Sequence, residues 1–349
     1  MEDKMKIFKK VLLFMLVLAT LIPLASCGGK DVTVFEYNGV KMTSGVFSYM
    51  LSENKSYLLA MYGMTDSADL WNQKISDDGV TIGDNFKEQI VASAKDLVVA
   101  KALANEYGIT ISDENKAAVQ KIVDECIATY GSRAKWGMYL TKFGVDIDAF
   151  VQYMEDNYLV NQVAEYISSE KGPHPIDEDS LFENYKKEYS YVQHILFNYQ
   201  FKHKNEEGKS VVMTDDEKAA RKKELEELAV KMSNGEAKWE DYVSQNEDSG
   251  TTYFVTDNNQ FVKNFQDAAL DMEVGEYRLV ETEYGYHLMN RLEITEKQYE
   301  ENESKGTTSY LVSLKNENFM KVINEKLPQV VVNEEELKKY SVASAPVLS

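Results

Sequence analysis

The chain is 349 residues long, with 58 acidic against 38 basic side chains and a formal net charge of −20. That acidity argues against the basic face on which phosphate binding depends, so nucleic acid is not an expected partner. Two cysteines and four histidines exclude a disulfide scaffold and a Cys-rich zinc module and leave little for a multi-His centre. With 44 % hydrophobic residues, the composition is that of a globular protein of two or three domains.

Lys4, Lys6, Lys9 and Lys10 precede Val11–Leu24, a run without a charged residue. A basic region followed by a short apolar one is the pattern of a signal peptide, and the run falls short of the roughly 20 residues a transmembrane helix needs. It ends in Leu24-Ala25-Ser26-Cys27, which resembles the bacterial lipobox, whose cysteine becomes the lipidated first residue. Residues 1–26 are therefore expected to be a lipoprotein signal peptide and Cys27 a lipidation site. Each acyl CH₂ buried in the membrane contributes about 0.8 kcal/mol. Cleavage removes four lysines and two acidic residues and moves the charge from −20 to −22. Cys126 is then the single thiol; it shares a helical stripe with Val119, Ile122, Val123 and Tyr130 and is expected to be core.

Residues 31–43 alternate as a hairpin (Val32, Val34 and Tyr37, then Val40 and Met42) around Asn38-Gly39. From Ser44 to about Ser169 the period is helical. One helix carries Phe86, Ile90, Leu97 and Lys101 and stops at Gly108; a second is capped by Ser112 and stops at Gly131; a short segment covers Trp136–Phe143; another helix runs from Asp148 through Tyr158. Lys171-Gly172-Pro173-His174-Pro175 reads as a linker, since its prolines cannot continue a helix, and a helix is predicted over Glu178–Tyr189. Tyr191–Phe197 reads as a buried strand, and Thr214-Asp215-Asp216-Glu217 as a capping box opening a helix through Met232. A turn at Trp239–Val243, a helix at Asn264–Met272, and strands at Glu276–Glu281 and Tyr286–Leu292 follow. The C-terminal region is read as a helix over Leu311–Asn324 and a strand-like Gln329–Val332.

Three segments, in order, carry a family likeness. Val192-Gln193-His194-Ile195-Leu196-Phe197 resembles the first strand of the parvulin-type (PpiC, rotamase) peptidyl-prolyl isomerases. Residues Asn259 to Ala269 resemble their proline-pocket segment. Glu273-Val274-Gly275-Glu276 and Val280-Glu281-Thr282-Glu283-Tyr284-Gly285-Tyr286-His287 resemble their ending. With the lipobox and the helical first half, the chain resembles PrsA-like foldase lipoproteins with a SurA-like N-terminal chaperone domain. This implies an α+β multidomain fold, with a mostly helical N-/C-terminal chaperone domain and a parvulin-like domain built on a small antiparallel sheet. The expected order is a signal peptide over 1–26, a helical chaperone-like domain over 27–175 and a connecting helix over 176–187. The parvulin-like domain then covers 188–295, and a C-terminal helix and tail over 296–349 pack back on the N-terminal domain.

The resemblance implies a foldase that isomerises X–Pro bonds in unfolded, proline-containing exported polypeptides. It implies anchoring by lipid at the outer face of a Gram-positive-type membrane, with no metal or cofactor and with a homodimer left open. Such a reaction needs an apolar slot for the proline ring and surroundings that favour the twisted amide. His194 and His287 match the two family histidines, as orienting residues, and Thr282 joins them. Phe265 matches the pocket aromatic, and Phe261 stands where methionine is usual. The acidic position falls in Asn246-Glu247-Asp248, with Asp248 preferred. The family's Gly-Gly-x-Leu-Gly-Trp/Phe run survives only as Gly250-Thr251-Thr252-Tyr253-Phe254, so Thr251 replaces the closing leucine, and Thr251 and Phe254 are expected at the substrate. The alternative is a holdase with a weak or inactive parvulin domain; Tyr49, Tyr57, Tyr62, Tyr139, Tyr153 and Tyr158 could line a cleft that grips its chains, although tyrosines at helical spacing are more simply core.

Overall fold

Asn38 and Gly39 carry φ of +45° and +78°, the conformation of a two-residue primed turn that matches strand twist. The turn joins β1 (Thr33–Tyr37) to β2 (Val40–Thr43), with Tyr37 opposite Val40 and Phe35 opposite Met42. The computed structural model describes residues 32–198, 203–204, 207–257, 260–305 and 309–348; the expected signal segment, Cys27 and Asn259 lie outside the described residues. Among the described residues no helix is long and apolar enough to cross a membrane. The chain forms two units, one running to Ile176 and resuming at Lys315, the other spanning Asp177–Leu314. The architecture is α+β and multidomain.

In the first unit, β2 leads into α1 (Ser44–Tyr62), followed by α2 (Ile82–Tyr107), α3 (Asp113–Tyr130), α4 (Arg133–Leu140) and α5 (Ile147–Ser168). Thr81 and Asp84 cap α2 reciprocally, and Ser112, Ser132 and Asp146 accept backbone N–H groups at the starts of α3, α4 and α5. The apolar faces meet in one core that holds Phe47, Leu97, Leu103, Trp136, Phe143 and Phe150, with Cys126 packed at its margin. Of the six tyrosines that could line a cleft, Tyr49 and Tyr153 follow the simpler reading and are core: both are buried and both donate to Glu53, at 3.4 and 2.7 Å. Burial raises the Glu53 carboxyl above the usual carboxylate range. Residues 172–176 run back along the end of α5, where His174 and Ile176 N–H groups bond the Ile167 and Ser168 carbonyls at 3.0 Å.

The second unit begins with α6 (Leu181–Glu188), which feeds β3 (Ser190–Asn198). Then come α7 (Asp215–Ser233), β4 (Thr252–Val255), α8 (Lys263–Asp271), β5 (Tyr277–Glu281), β6 (Gly285–Leu292) and α9 (Glu296–Lys305). The sheet is antiparallel in the order β4-β3-β6-β5. Side chains alternate across it. Ile195, Phe197, Tyr286 and Leu288 pack with Leu225, Leu228, Ala229 and Met232 of α7. Val192, Val255, Val280 and Met289 pack with Phe265, Ala268 and Ala269 of α8. The expected connecting helix and residues 296–314 both fall in this unit. Tyr185 of α6 stacks on Tyr189 and meets Tyr299 of α9 edge-on, so these helices share an aromatic cluster with the sheet's entry.

The chain then enters α10 (Tyr310–Lys326) and ends through β7 (Val331–Val332). From Lys315 onward it belongs to the first unit: Phe319, Val322, Ile323, Leu337 and Val342 complete that core. β7 pairs antiparallel with β1, Val332 opposite Phe35, giving a three-stranded sheet β2-β1-β7. The fully buried Lys55 ammonium of α1 lies 2.9 Å from Asp66 and donates to the Ala345 carbonyl at 2.7 Å. Asp66 accepts in turn from Trp71 Nε1 at 2.7 Å.

Candidate functional site

Strand register builds the site. On β3 and β6, His194 stands opposite Met289 and Leu196 opposite His287, so the two histidines are diagonal neighbours on the α8 face of the sheet. Their Nδ1 atoms are 3.2 Å apart, their rings stack, and both are buried. Thr282, just beyond β5, has Oγ1 2.9 Å from His287 Nε2. The turn that carries Thr282 closes on Gly285, whose φ of +152° and close approach to the Phe197 carbonyl leave no room for a side chain.

The acidic partner comes from the turn between α7 and β4. Asn246 is a staple: its Oδ1 accepts from Leu196 N at 2.8 Å and its Nδ2 donates to the Gly250 carbonyl at 2.8 Å. That leaves Asp248 to face the site, with Oδ2 3.3 Å from His194 Nε2; the two are close but lack hydrogen-bond alignment. A carboxylate facing Nε2 favours a proton there. Nδ1 of His194 is then the acceptor for His287 Nδ1–H, and His287 Nε2 accepts from Thr282, one consistent arrangement along the chain of groups. Burial holds His194 below the ordinary histidine range against the opposing pull of Asp248. Burial, reinforced by His194, pushes His287 down to about 4. Both rings are therefore neutral at pH 7.

Over the histidines lies an aromatic layer. Phe265, on the first turn of α8, meets both imidazoles edge-on at 5.2 Å and is only 2 % exposed. Phe261 stacks on it at 5.4 Å, and Tyr253 closes the group, 5.2 Å from Phe261 and from His194. The half-buried faces are those of Tyr253 and Phe261.

His194, His287, Asp248, Thr282, Phe265 and Phe261 thus come together. Thr251 and Phe254 do not join them as expected. The Thr251 side chain is exposed and only its carbonyl takes part, accepting from His194 N at 2.8 Å. Phe254 lies on the opposite face of β4, stacked on Tyr191 and edge-on to Tyr185. Alternation along the strand accounts for this: once Tyr253 is paired with Val192, Phe254 must point away. Tyr253 was absent from the sequence expectations, and its register against β3 is the signal that identifies it.

Residues 194–293 match the family model "Rotamase: PPIC-type PPIASE domain". By that match this part of the chain is a PPIC-type, parvulin-class peptidyl-prolyl isomerase domain. Across nearly its whole length the chain is similar to Foldase protein PrsA of Caldanaerobacter subterraneus subsp. tengcongensis. The two are 26 % identical over 335 residues, covering 93 % of this chain and 94 % of that protein. PrsA from Bacillus subtilis matches at 20 % identity over 78 % of this chain and 92 % of its own, with a TM-score of 0.24. PrsA from Bacillus cereus matches at 19 % over 79 % and 90 %, with a TM-score of 0.30.

Proposed function

We propose that the chain is a membrane-tethered extracytoplasmic foldase that accelerates cis–trans isomerisation of X–Pro bonds in exported, unfolded polypeptides. The observation that carries this reading is the buried, neutral His194–His287 pair beneath the Tyr253–Phe261–Phe265 layer, inside the rotamase match. The uncatalysed barrier is about 20 kcal/mol, because rotation breaks amide conjugation. Conjugation places negative charge on the carbonyl oxygen, and twisting withdraws it. A carboxylate such as Asp248, partly exposed beside the slot, disfavours the charged planar form more than the twisted one. The aromatic layer holds the prolyl ring while the preceding residue turns. Neutral His194 and His287 serve as a hydrogen-bonded platform beneath Phe265 and form the floor of the slot. The test is a proline-isomerisation assay on residues 28–349. The soluble protein should exceed the buffer rate, and His194→Ala and His287→Ala should each lose about tenfold or more of kcat/KM. No acceleration by the unmodified protein defeats the reading. Tethering through Cys27 rests on the lipobox-like sequence, and Cys27→Ala should release the protein from the membrane fraction.

A holdase role is the second reading. Tyr57 and Met61, one turn apart on α1, and Tyr62 are 52 %, 61 % and 65 % exposed, an apolar surface of the kind unfolded segments bind. The double variant His194→Ala/His287→Ala in the full chain should then still suppress aggregation of an unfolded client. Loss of suppression together with turnover would count against it.

A further inference from the structure

We propose that Tyr253 is a specificity-determining and positioning residue of this site: its ring supplies the prolyl-binding surface that Thr251 does not, and its hydroxyl orients Asp248. This rests on the isomerase reading above. Thr251, at the position expected to close the slot, points its side chain to solvent, so no aliphatic wall comes from there. Phe265 is enclosed by its neighbours, so the aromatic faces a proline ring can reach are those of Tyr253 and Phe261, in contact at 5.2 Å. Prolyl rings pack well on such faces, whose burial removes apolar area from water.

The hydroxyl gives Tyr253 a second role. It donates to Asp248 Oδ2 at 3.2 Å, the same oxygen that lies 3.3 Å from His194 Nε2. Asp248 Oδ1 is held separately by Ser249 N at 2.7 Å. Tyr253 and His194 therefore share one carboxylate oxygen, and the His194 contact is left short of a hydrogen bond. Gly250 makes this possible, because a Cβ there would overlap the Tyr253 hydroxyl. The groups facing His194 are His287 from β6, Asp248 and the Gly250 carbonyl from the turn, Tyr253 from β4 and the uncharged Phe265 from α8. Removing the hydroxyl frees the oxygen to turn onto His194 and stabilises the protonated ring.

The test uses residues 28–349 and two readouts that do not need turnover. In NMR titrations with the peptide Ala-Ala-Pro-Phe, Tyr253→Ala and the bulkier Tyr253→Leu should each raise Kd about fivefold or more, while Tyr253→Phe should change it less than about twofold. In the His194 ring titration, Tyr253→Phe should raise the apparent pKa by about 0.5, with His287 signals confirming an intact fold. Unchanged Kd in both Ala and Leu variants overturns the ring's role, and an unmoved His194 titration in Tyr253→Phe overturns the hydroxyl's. If the unmodified protein shows no isomerisation but these shifts appear, the turnover reading fails and the assignment of Tyr253 to the peptide slot stands.

Discussion

Acidification from pH 7.5 to 5.0 should destabilise the parvulin-class domain through its two buried histidines. His287 titrates near 4 in the folded chain against 6.5 for an ordinary histidine, and His194 is lowered in the same direction. The unfolded chain therefore takes up protons that the folded site refuses. Stability contributed by the neutral rings is complete above pH 6.5 and falls as pH drops toward 4, the sign expected when the unfolded state binds more protons. For His287 alone, a pKa gap of that size is worth about 2 kcal/mol at pH 5 and about 3 kcal/mol below pH 4. Pulsed hydrogen exchange across a urea series, read by mass spectrometry on peptides from β3 and β6, isolates this domain from the rest of the chain. The β6 midpoint should move to lower urea by the equivalent of at least about 2 kcal/mol between pH 7.5 and 5.0, His194 adding to the His287 contribution. His194→Gln/His287→Gln should lose most of that dependence. A midpoint that does not move in the unmodified protein, or an equal slope in the double variant, would refute the reasoning.

Three further outcomes follow from packing. Phe265→Ala opens a cavity against Val192, Val280 and Met289 and should cost about 3–5 kcal/mol in domain unfolding, against roughly 1 kcal/mol for Phe265→Leu. Gly285→Ala forces a Cβ toward the Phe197 carbonyl at a φ of +152°; it should destabilise the domain by about 3 kcal/mol and abolish protection of the β3–β6 amides. Lys55→Ala leaves Asp66 and the Ala345 carbonyl without their buried cation. It should lower stability of the first unit by about 3 kcal/mol and admit carboxypeptidase to residues 340–348, with Lys55→Met intermediate in both.

Local pattern and long-range placement differ sharply in how far this sequence reveals them. The hairpin around Asn38-Gly39, the cap at Ser112, the box at Thr214–Glu217 and the pair His194–His287 are legible because each depends on neighbours or on an ordered motif. The choice between Tyr253 and Phe254 is not, since it turns on strand register, and a slip of one residue exchanges the faces. Asn246 and Asp248 are separated by a similar detail: both are polar and two apart, and only the bond from Leu196 N assigns one to the backbone and the other to the site. Tyr49 and Tyr153 fit either a cleft or the core on sequence, because tyrosine tolerates both water and burial; burial against Glu53 decides for the core. The placement of 296–314 with the second unit likewise depends on Tyr185 and Tyr299 meeting across more than a hundred residues.

The pairing of β1 with β7, Phe35 opposite Val332, has a consequence in time. A chain that emerges N-terminus first must deliver the whole of Asp177–Leu314 before Phe319, Ile323 and Val342 can reach the core they complete. The domain encoded in the middle is therefore free to fold first, whereas the one encoded at the start finishes last. Contacts spanning some three hundred residues carry a large loop-closure cost until the intervening domain has become compact. During that interval the part of the first core that Phe319, Ile323 and Val342 cover stands open. Premature loss of the last thirty-five residues would thus leave the beginning of the protein, rather than its end, unable to mature.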